Sequence, residues 1–218
     1  MIRDFGITWA HRDQIVSGLA NTVWLSLSSA ALAFALGCLL AMVLMAQARP
    51  LAAAGRYFVD TMRCVPFLLF AYLVYYGLPS LGIRFTNWGV GLLALTLYNA
   101  AYMAELLRAA WAGLSREMIE AGHAFGFVGL NLFCRIVLPR VLLAAIPMIG
   151  NQLIQIIKDS AFLTIIAVPE LTHEASSIQA TYFVPFAAFV TAVLLYWVLC
   201  LIVEAAVARI GRIAEARR

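Results

Sequence analysis

The sequence predicts an all-α, polytopic membrane protein with five transmembrane helices, its N-terminus outside and its C-terminus in the cytoplasm. Three observations predict it. Of 218 residues, 64% are hydrophobic and only 12% charged, with a mean hydropathy of +0.93; a water-soluble domain carries about twice that share of charge. Five apolar stretches approach or exceed the roughly 20 residues that a helix needs to cross a bilayer. Arginines collect in alternate segments between those stretches, the bias expected of cytoplasmic loops.

The first segment, Met1 to Asp13, mixes Arg3, Asp4, Arg12 and Asp13 and has no basic start followed by a short apolar core. It does not read as a cleavable signal, and the first span serves as its own anchor. That span covers about residues 19–46, longer than a crossing requires, so it should tilt or protrude. It holds the polar residues Asn21, Thr22, Ser26 and Ser29. Its small residues Ser29, Ala33, Gly37 and Ala41 recur every four positions, which predicts a face packed closely on another helix. The second span covers about 65–81 and begins at Pro66. The third covers about 88–107, the fourth 141–157 and the fifth 186–203. Residues 1–218 form one transmembrane domain.

Residues 158–185 fit no simple span. Lys158-Asp159-Ser160 opens the stretch, Ala161 to Val168 is apolar, and Glu170-Leu171-Thr172-His173-Glu174 is polar. Eight apolar residues cannot cross a bilayer. Either the segment enters the membrane partway, sheltered by protein or a water-filled cavity, or it caps the outer face as a short helix.

Orientation follows from the cations. With the N-terminus outside, the inner segments hold Arg49, Arg56, Arg63, Arg108, Arg116, Arg135, Arg140, Arg209, Arg212, Arg217 and Arg218. The outer ones hold only Arg3, Arg12, Arg84 and Lys158, the one lysine. The reverse orientation would invert the positive-inside bias.

Several functions are disfavoured by what the residues lack. No basic run alternates with aromatics, so nucleic acid is not a partner. The four cysteines, Cys38, Cys64, Cys134 and Cys200, are scattered and imply no disulfide framework. His11, His123 and His173 show no metal-ligand spacing. Asp60 with Arg56 or Arg63 reads as a solvated ion pair, worth little.

Polar residues inside the spans are informative, because each costs several kcal/mol in hydrocarbon unless it finds a partner. Asn99 and Glu105 lie in the third span, and Asn151, Gln152 and Gln155 in the fourth. They are candidates for lining a solute route. Their alternative is structural: Glu105 pairs with Arg108 one turn on, and the amides join neighbouring helices.

The segment of about residues 112–140 is charged and set between apolar runs, so it lies at the membrane surface. Ser115 is placed to cap a short helix carrying Glu117 and Glu120 near its positive end. Gly126 can adopt the left-handed conformation that ends such a helix. A second short helix presents Leu130, Phe133, Ile136 and Val137 on one face, and Pro139 suits the first turn of the fourth span. Two short helices joined at a glycine make a knob that a partner's groove can receive.

The spacing in this segment is Glu120-Ala121-Gly122, three residues, Gly126, nine residues, then Ile136-x-Leu138-Pro139. It resembles the cytoplasmic coupling loop of ABC-importer permeases. Four further motifs are similar to the permeases for polar amino acids within that family. Gly18-Leu19-Ala20-Asn21-Thr22 opens the first span as theirs opens. Arg63-Cys64-Val65-Pro66 stands where they have Arg-Gly-Thr-Pro. Glu105-Leu106-Leu107-Arg108 matches their Glu-x-x-Arg, and Lys158 to Leu163 resembles their Lys-Asp-Thr-Ser-Leu. The resemblance runs from Gly18 to Glu204. Departures occur at Arg116 and Glu117, where the family has Gly-Gln, at Arg140, where it has Gln, and at Cys64, Val65 and Ala161. They put in doubt any contact made through those family side chains.

The resemblance implies a type I ABC importer permease fold in a bacterial inner membrane. It implies two ATP-binding subunits docked at Glu120, Ala121, Gly122, Gly126, Leu138 and Pro139. It further implies a second permease subunit, identical or homologous, a solute-binding protein, and a polar amino acid such as histidine, arginine or glutamine as substrate. No Gly-x-x-x-x-Gly-Lys-Ser/Thr phosphate loop is present. The chain itself is therefore expected to be neither enzyme nor cofactor carrier, with ATP and Mg on the partner ATPase. The alternative, a secondary transporter of a small polar solute, calls for internal repeat symmetry that five spans do not supply.

The arginine asymmetry makes a testable prediction. Single cysteines at Asn87 and Gly211, in a cysteine-free chain, should label from opposite sides of the membrane. Asn87 should react with an impermeant thiol reagent from outside, and Gly211 only after permeabilisation. Reaction of both from one side would refute the five-span orientation.

Overall fold

The computed structural model describes residues 2–46 and 48–215. Arg217 and Arg218, counted above toward the inner charge, lie outside the described residues. Every described element is helical. Helix α1 (Ile2–Ala10) meets α2 (Arg12–Leu44) at His11, whose Nδ1 lies 2.9 Å from the carbonyl of Ile7. Helix α2 has 33 residues, about 50 Å of helix, and so exceeds the roughly 30 Å hydrocarbon core as its length predicted.

The small residues of α2 do what their spacing suggested. Thr22, Ser26, Ser29, Ala33, Gly37 and Ala41 are all buried, and the stripe seats α2 along α5 (Asn87–Ala112). The approach is closest at Gly37. A Cβ there would lie 2.5 Å from Cβ of Met103 and 3.2 Å from the backbone nitrogen of Ala104. Dispersion contacts between backbones replace the hydrophobic effect as the glue, because lipid tails are as apolar as the helices.

The second span differs from expectation. Residues read as an inner linker form α3 (Arg49–Cys64), which is bent by 109° from α4 (Phe67–Ser80). Helix α4 has 14 residues, about 21 Å, too short to cross alone. Four helices are long and apolar enough to cross (α2, α5, the run through α8, and α10), and the bent pair α3–α4 is either a fifth, broken span or a re-entrant loop, giving four to five spans. The charges of α3 concealed its helix, which buries Gly55 and Val59 against α2 and α5 and leaves Arg56 and Asp60 exposed. At the bend Pro66 offers no N–H, and the tyrosines of α5 take up stranded carbonyls. Tyr98 donates to Val65 O at 3.1 Å and Tyr102 to Arg63 O at 3.4 Å.

After α5 come α6 (Arg116–Ala124), α7 (Gly129–Leu132) and a π-helical turn (Phe133–Val137). That turn runs without a break into α8 (Leu138–Ser160), which tightens into a 3₁₀ segment over Ala161–Ile166. Residues 158–185 finish α8, pack Leu163, Ile166 and Val168 into the core with α4 and α5, and then form a short helix, an arrangement that both alternatives allow. Helix α9 (Leu171–Tyr182) packs on α2 and on α10 (Pro185–Glu215), through Ile15, Ala175, Ile178 and Ala188 among others. Its N-cap is Glu170, fully buried, whose carboxylate accepts from the backbone of Thr172 at 2.8 Å and His173 at 2.7 Å and from the Tyr196 hydroxyl at 2.6 Å. Burial pushes the Glu170 carboxyl up to about 7 against those donors.

The seam at Gly37 can be tested against an open glycine. Gly37→Leu should destabilise the detergent-solubilised chain by about 1–3 kcal/mol or more, because the backbone of α5 must move. Gly77→Leu, at a glycine with nothing within 4 Å, should change the thermal unfolding midpoint little. Equal shifts in both would show that close approach is not what holds α2 to α5.

Candidate functional site

Two regions bring the sequence-predicted residues together, one at the arginine-rich end of the bundle and one along α8. The first is a knob. Ser115 occupies the N-cap of α6 with extended backbone, but its hydroxyl makes no capping bond, and Glu117 stands in the first turn. Gly126 closes the helix at φ +80°, the left-handed conformation expected of it. Its N–H donates to His123 O at 2.9 Å, and that of Phe127 donates to Gly122 O at 3.0 Å.

Glu120, Ala121, Gly126 and Pro139 are exposed on this knob, and Leu138 is half-buried. Gly122 is buried: a Cβ there would lie 2.5 Å from Cδ1 of Leu132. It is a packing point that lets α6 fold back on the next turn. Leu132 and Val137 are buried beneath, and Phe133 stacks on Trp111 of α5 at 5.2 Å. The side chain of Leu130, assigned above to the same face, lies outside the described residues. Sequence reading missed two residues at the tip, Phe125 at 83% exposure and Val128 at 65%. Their signal was an apolar residue on either side of the helix-ending Gly126-Phe127, where a surface loop normally carries polar ones.

Along the spans the predicted polar residues separate into two groups. Glu105 takes both nitrogens of a fork from Arg108, Nε at 2.8 Å and Nη2 at 2.5 Å, with Arg63 at 4.0 Å. Arg63 thus turns to Glu105 rather than to Asp60, correcting the surface pair expected there. Asn99 is completely buried. Its Oδ1 accepts from Gln152 Nε2 at 2.6 Å, and its own amide donates to Leu95 O at 2.9 Å. These residues tie α5 to α8.

The other group lies on the outside of α8. Asn151, Gln155 and Lys158 are exposed at spacings of four and three, one polar stripe that continues the exposed Ala144 and Pro147. Gln155 Nε2 donates to Asp159 Oδ1 at 2.8 Å, while Asp159 Oδ2 is buried with no hydrogen-bond partner among the described residues. Lys158 and Asp159 were noted only as motif letters, although the 151/155/158 spacing already placed Lys158 on the stripe. Two exposed amides and a cation on one helix offer hydrogen bonds and a positive charge to a small polar solute.

Residues 17–213 match the sequence profile of the family described as "Binding-protein-dependent transport system inner membrane component". The chain is 34% identical over 208 residues to the octopine transport system permease protein of Rhizobium meliloti, across 90% of this chain and 86% of that protein. It is 31% identical over 184 residues to the probable glutamine ABC transporter permease protein of Bacillus subtilis strain 168, across 84% and 85%. Its fold superposes on a crystal structure of an amino acid ABC transporter with a TM-score of 0.90 at 24% identity, covering 95% of this chain and 97% of that one.

The buried amide pair predicts a coupling. Gln152→Leu leaves the Asn99 oxygen unpaired in the bundle interior and should cost about 1–2 kcal/mol. The double variant Asn99→Leu/Gln152→Leu should cost less than the sum of the two singles. Thermal unfolding of the four proteins in detergent measures the cycle, and strict additivity would mean that the pair contributes no interaction energy.

Proposed function

The chain belongs to the inner-membrane components of binding-protein-dependent transport systems, and on that footing we propose that it is the permease subunit of an ABC importer for a polar amino acid. The observation that carries the reading is the exposed polar stripe of α8, Asn151, Gln155 and Lys158, with the buried Asp159 behind it. Such a face is costly against lipid. A second permease subunit, identical or homologous, covers it, and the two stripes line an aqueous route on the shared axis. Lys158 suits the carboxylate of an amino acid, and the amides of Asn151 and Gln155 suit its other polar groups, while the buried Asp159 anchors Gln155 from behind. Asn99, Gln152 and Glu105 support that wall from behind. Relatives carrying octopine and glutamine in their names support this solute class.

In this reading the knob faces the cytoplasm and docks through Glu120, Ala121, Gly126, Pro139 and the apolar tip Phe125 and Val128 into an ATP-binding subunit, two copies of which serve the permease pair. ATP and Mg belong to those subunits. A solute-binding protein delivers the amino acid at the opposite end, where α9 caps the bundle. Closure of the ATPases moves the knobs, and the uninterrupted π turn and α8 carry that motion to the stripe, switching the side to which the route opens. This chain thus binds, orients and gates, while bond breaking occurs elsewhere.

Two sets of variants test the proposal in vesicles reconstituted with the complete transporter. Gly126→Val places a β-branched residue at φ +80°, and Glu120→Lys reverses a charge on the docking face. Both should insert normally yet pull down less ATPase or hydrolyse ATP without uptake. Asn151→Leu and Gln155→Leu should lower uptake about tenfold with the complex intact, as expected for the loss of one or two solute hydrogen bonds. Normal ATPase association and uptake in the knob variants would remove the coupling role. Normal uptake in both stripe variants would remove the pathway.

A further inference from the structure

Two adjoining cavities at the arginine-rich end have no role in the reading above. One, of about 320 Å³, is a groove walled by apolar side chains of α2, α5, the π turn and α8, among them Phe34, Cys38, Met42 and Leu142. The other, of about 290 Å³, opens beside it at the end of α5, between Arg56 of α3 and Arg108. Met45 and Trp111 line both, so the two form one continuous feature: an apolar trough leading from a mouth with two guanidinium groups.

We infer that this feature is a binding site for an anionic phospholipid, one acyl chain in the trough and the headgroup phosphate at Arg56 and Arg108. Three observations favour a lipid over other occupants. The trough lies on helices long and apolar enough to cross a membrane, beside the exposed apolar side chains Leu39 and Met42. Its polar mouth sits where α5 ends and the arginine-bearing α3 lies across the bundle, the depth at which headgroup phosphates meet a protein. Trp111, at the junction, is the residue type that prefers that boundary.

The charges at the mouth allow an anion. Arg56, Arg63 and Arg108 stand against Glu105 and Asp60, an excess of one positive charge. Glu105 occupies Nε and Nη2 of Arg108, and among the described residues Nη1 has no hydrogen-bond partner and Arg56 makes no hydrogen bond or ion pair within 4.0 Å. Arg56 lies near enough to Glu105 to attract it without bonding to it. A phosphate is therefore held mainly by Arg56, with Arg108 already oriented by its carboxylate partner. Because the trough reaches Phe133 and Leu138 at the base of the knob, a bound lipid braces the junction between knob and α8.

The test uses the full chain in vesicles of phosphatidylcholine doped with phosphatidylglycerol that carries a photoreactive diazirine in one acyl chain. Irradiation should attach the lipid to peptides covering residues 34–45 and 138–142, and the same probe with a phosphatidylcholine headgroup should label them about fivefold less. Arg56→Gln should lower phosphatidylglycerol labelling about fivefold, the worth of one arginine near a membrane surface. Cys38→Trp, which fills the trough, should lower labelling by both lipids. Equal labelling by the two headgroups, or none on these peptides, overturns the site. So does ready formation of Cys38–Cys38 disulfides between two copies on mild oxidation with copper phenanthroline in the dark, which would mean that a second copy of the chain fills the trough.

Discussion

The close contact between α2 and α5 is the constraint on which the remaining packing depends. A membrane offers no hydrophobic gain for bringing two apolar helices together, so the backbones must approach until dispersion suffices. Ser29, Ala33, Gly37 and Ala41 permit that approach, and at Gly37 no side chain fits. The other elements are laid against this pair. Helix α3 rests on its arginine-rich end through Val59, Ala101 and Ala104. Helix α8 is tied to α5 through Gln152 and Asn99, and α9 is held near the start of α2, where Thr22 Oγ1 accepts from Leu171 N and Asn21 donates to Pro169 O.

Wherever the backbone breaks, a side chain from this frame satisfies what the break exposes. Tyr98 and Tyr102 serve the carbonyls at the α3–α4 bend, and Glu170 serves the free N–H groups of α9. An unpaired backbone group in hydrocarbon costs several kcal/mol, so such breaks occur only where protein supplies partners. The polar groups left without internal partners are correspondingly informative. The exposed stripe of α8 is the face on which we propose that a second subunit packs.

The knob and the stripe belong to one continuous piece of backbone. The π turn at Phe133–Val137 leads into α8 without a loop, and Trp111 holds that turn to the end of α5. A displacement of the knob therefore cannot be absorbed by a flexible hinge at this point. It is passed on to Asn151, Gln155 and Lys158, or it strains the Trp111–Phe133 contact. The apolar trough beneath the same junction places lipid, in our inference, at the point where knob and helix meet.

Much of this was legible in the residues themselves. Hydropathy marked the crossing helices, four-residue spacing of small residues marked the α2 seam, and Gly126 was identified as the left-handed end of α6 because few other residues tolerate that backbone. The coupling-loop spacing also pointed to the family. Tertiary structure alone decided the rest. The bend at Pro66 and the helical state of α3 escaped notice, because an arginine-bearing amphipathic helix looks like a linker until its buried face has a neighbour. Which amides are internal was equally hidden. Asn99, Gln152 and Gln155 are alike in sequence, and only the rotation of α8 against α5 buries the first two and leaves Gln155 on the open face. The burial of Gly122 was hidden for the same reason, since burial is a property of what the chain folds against, not of the residue.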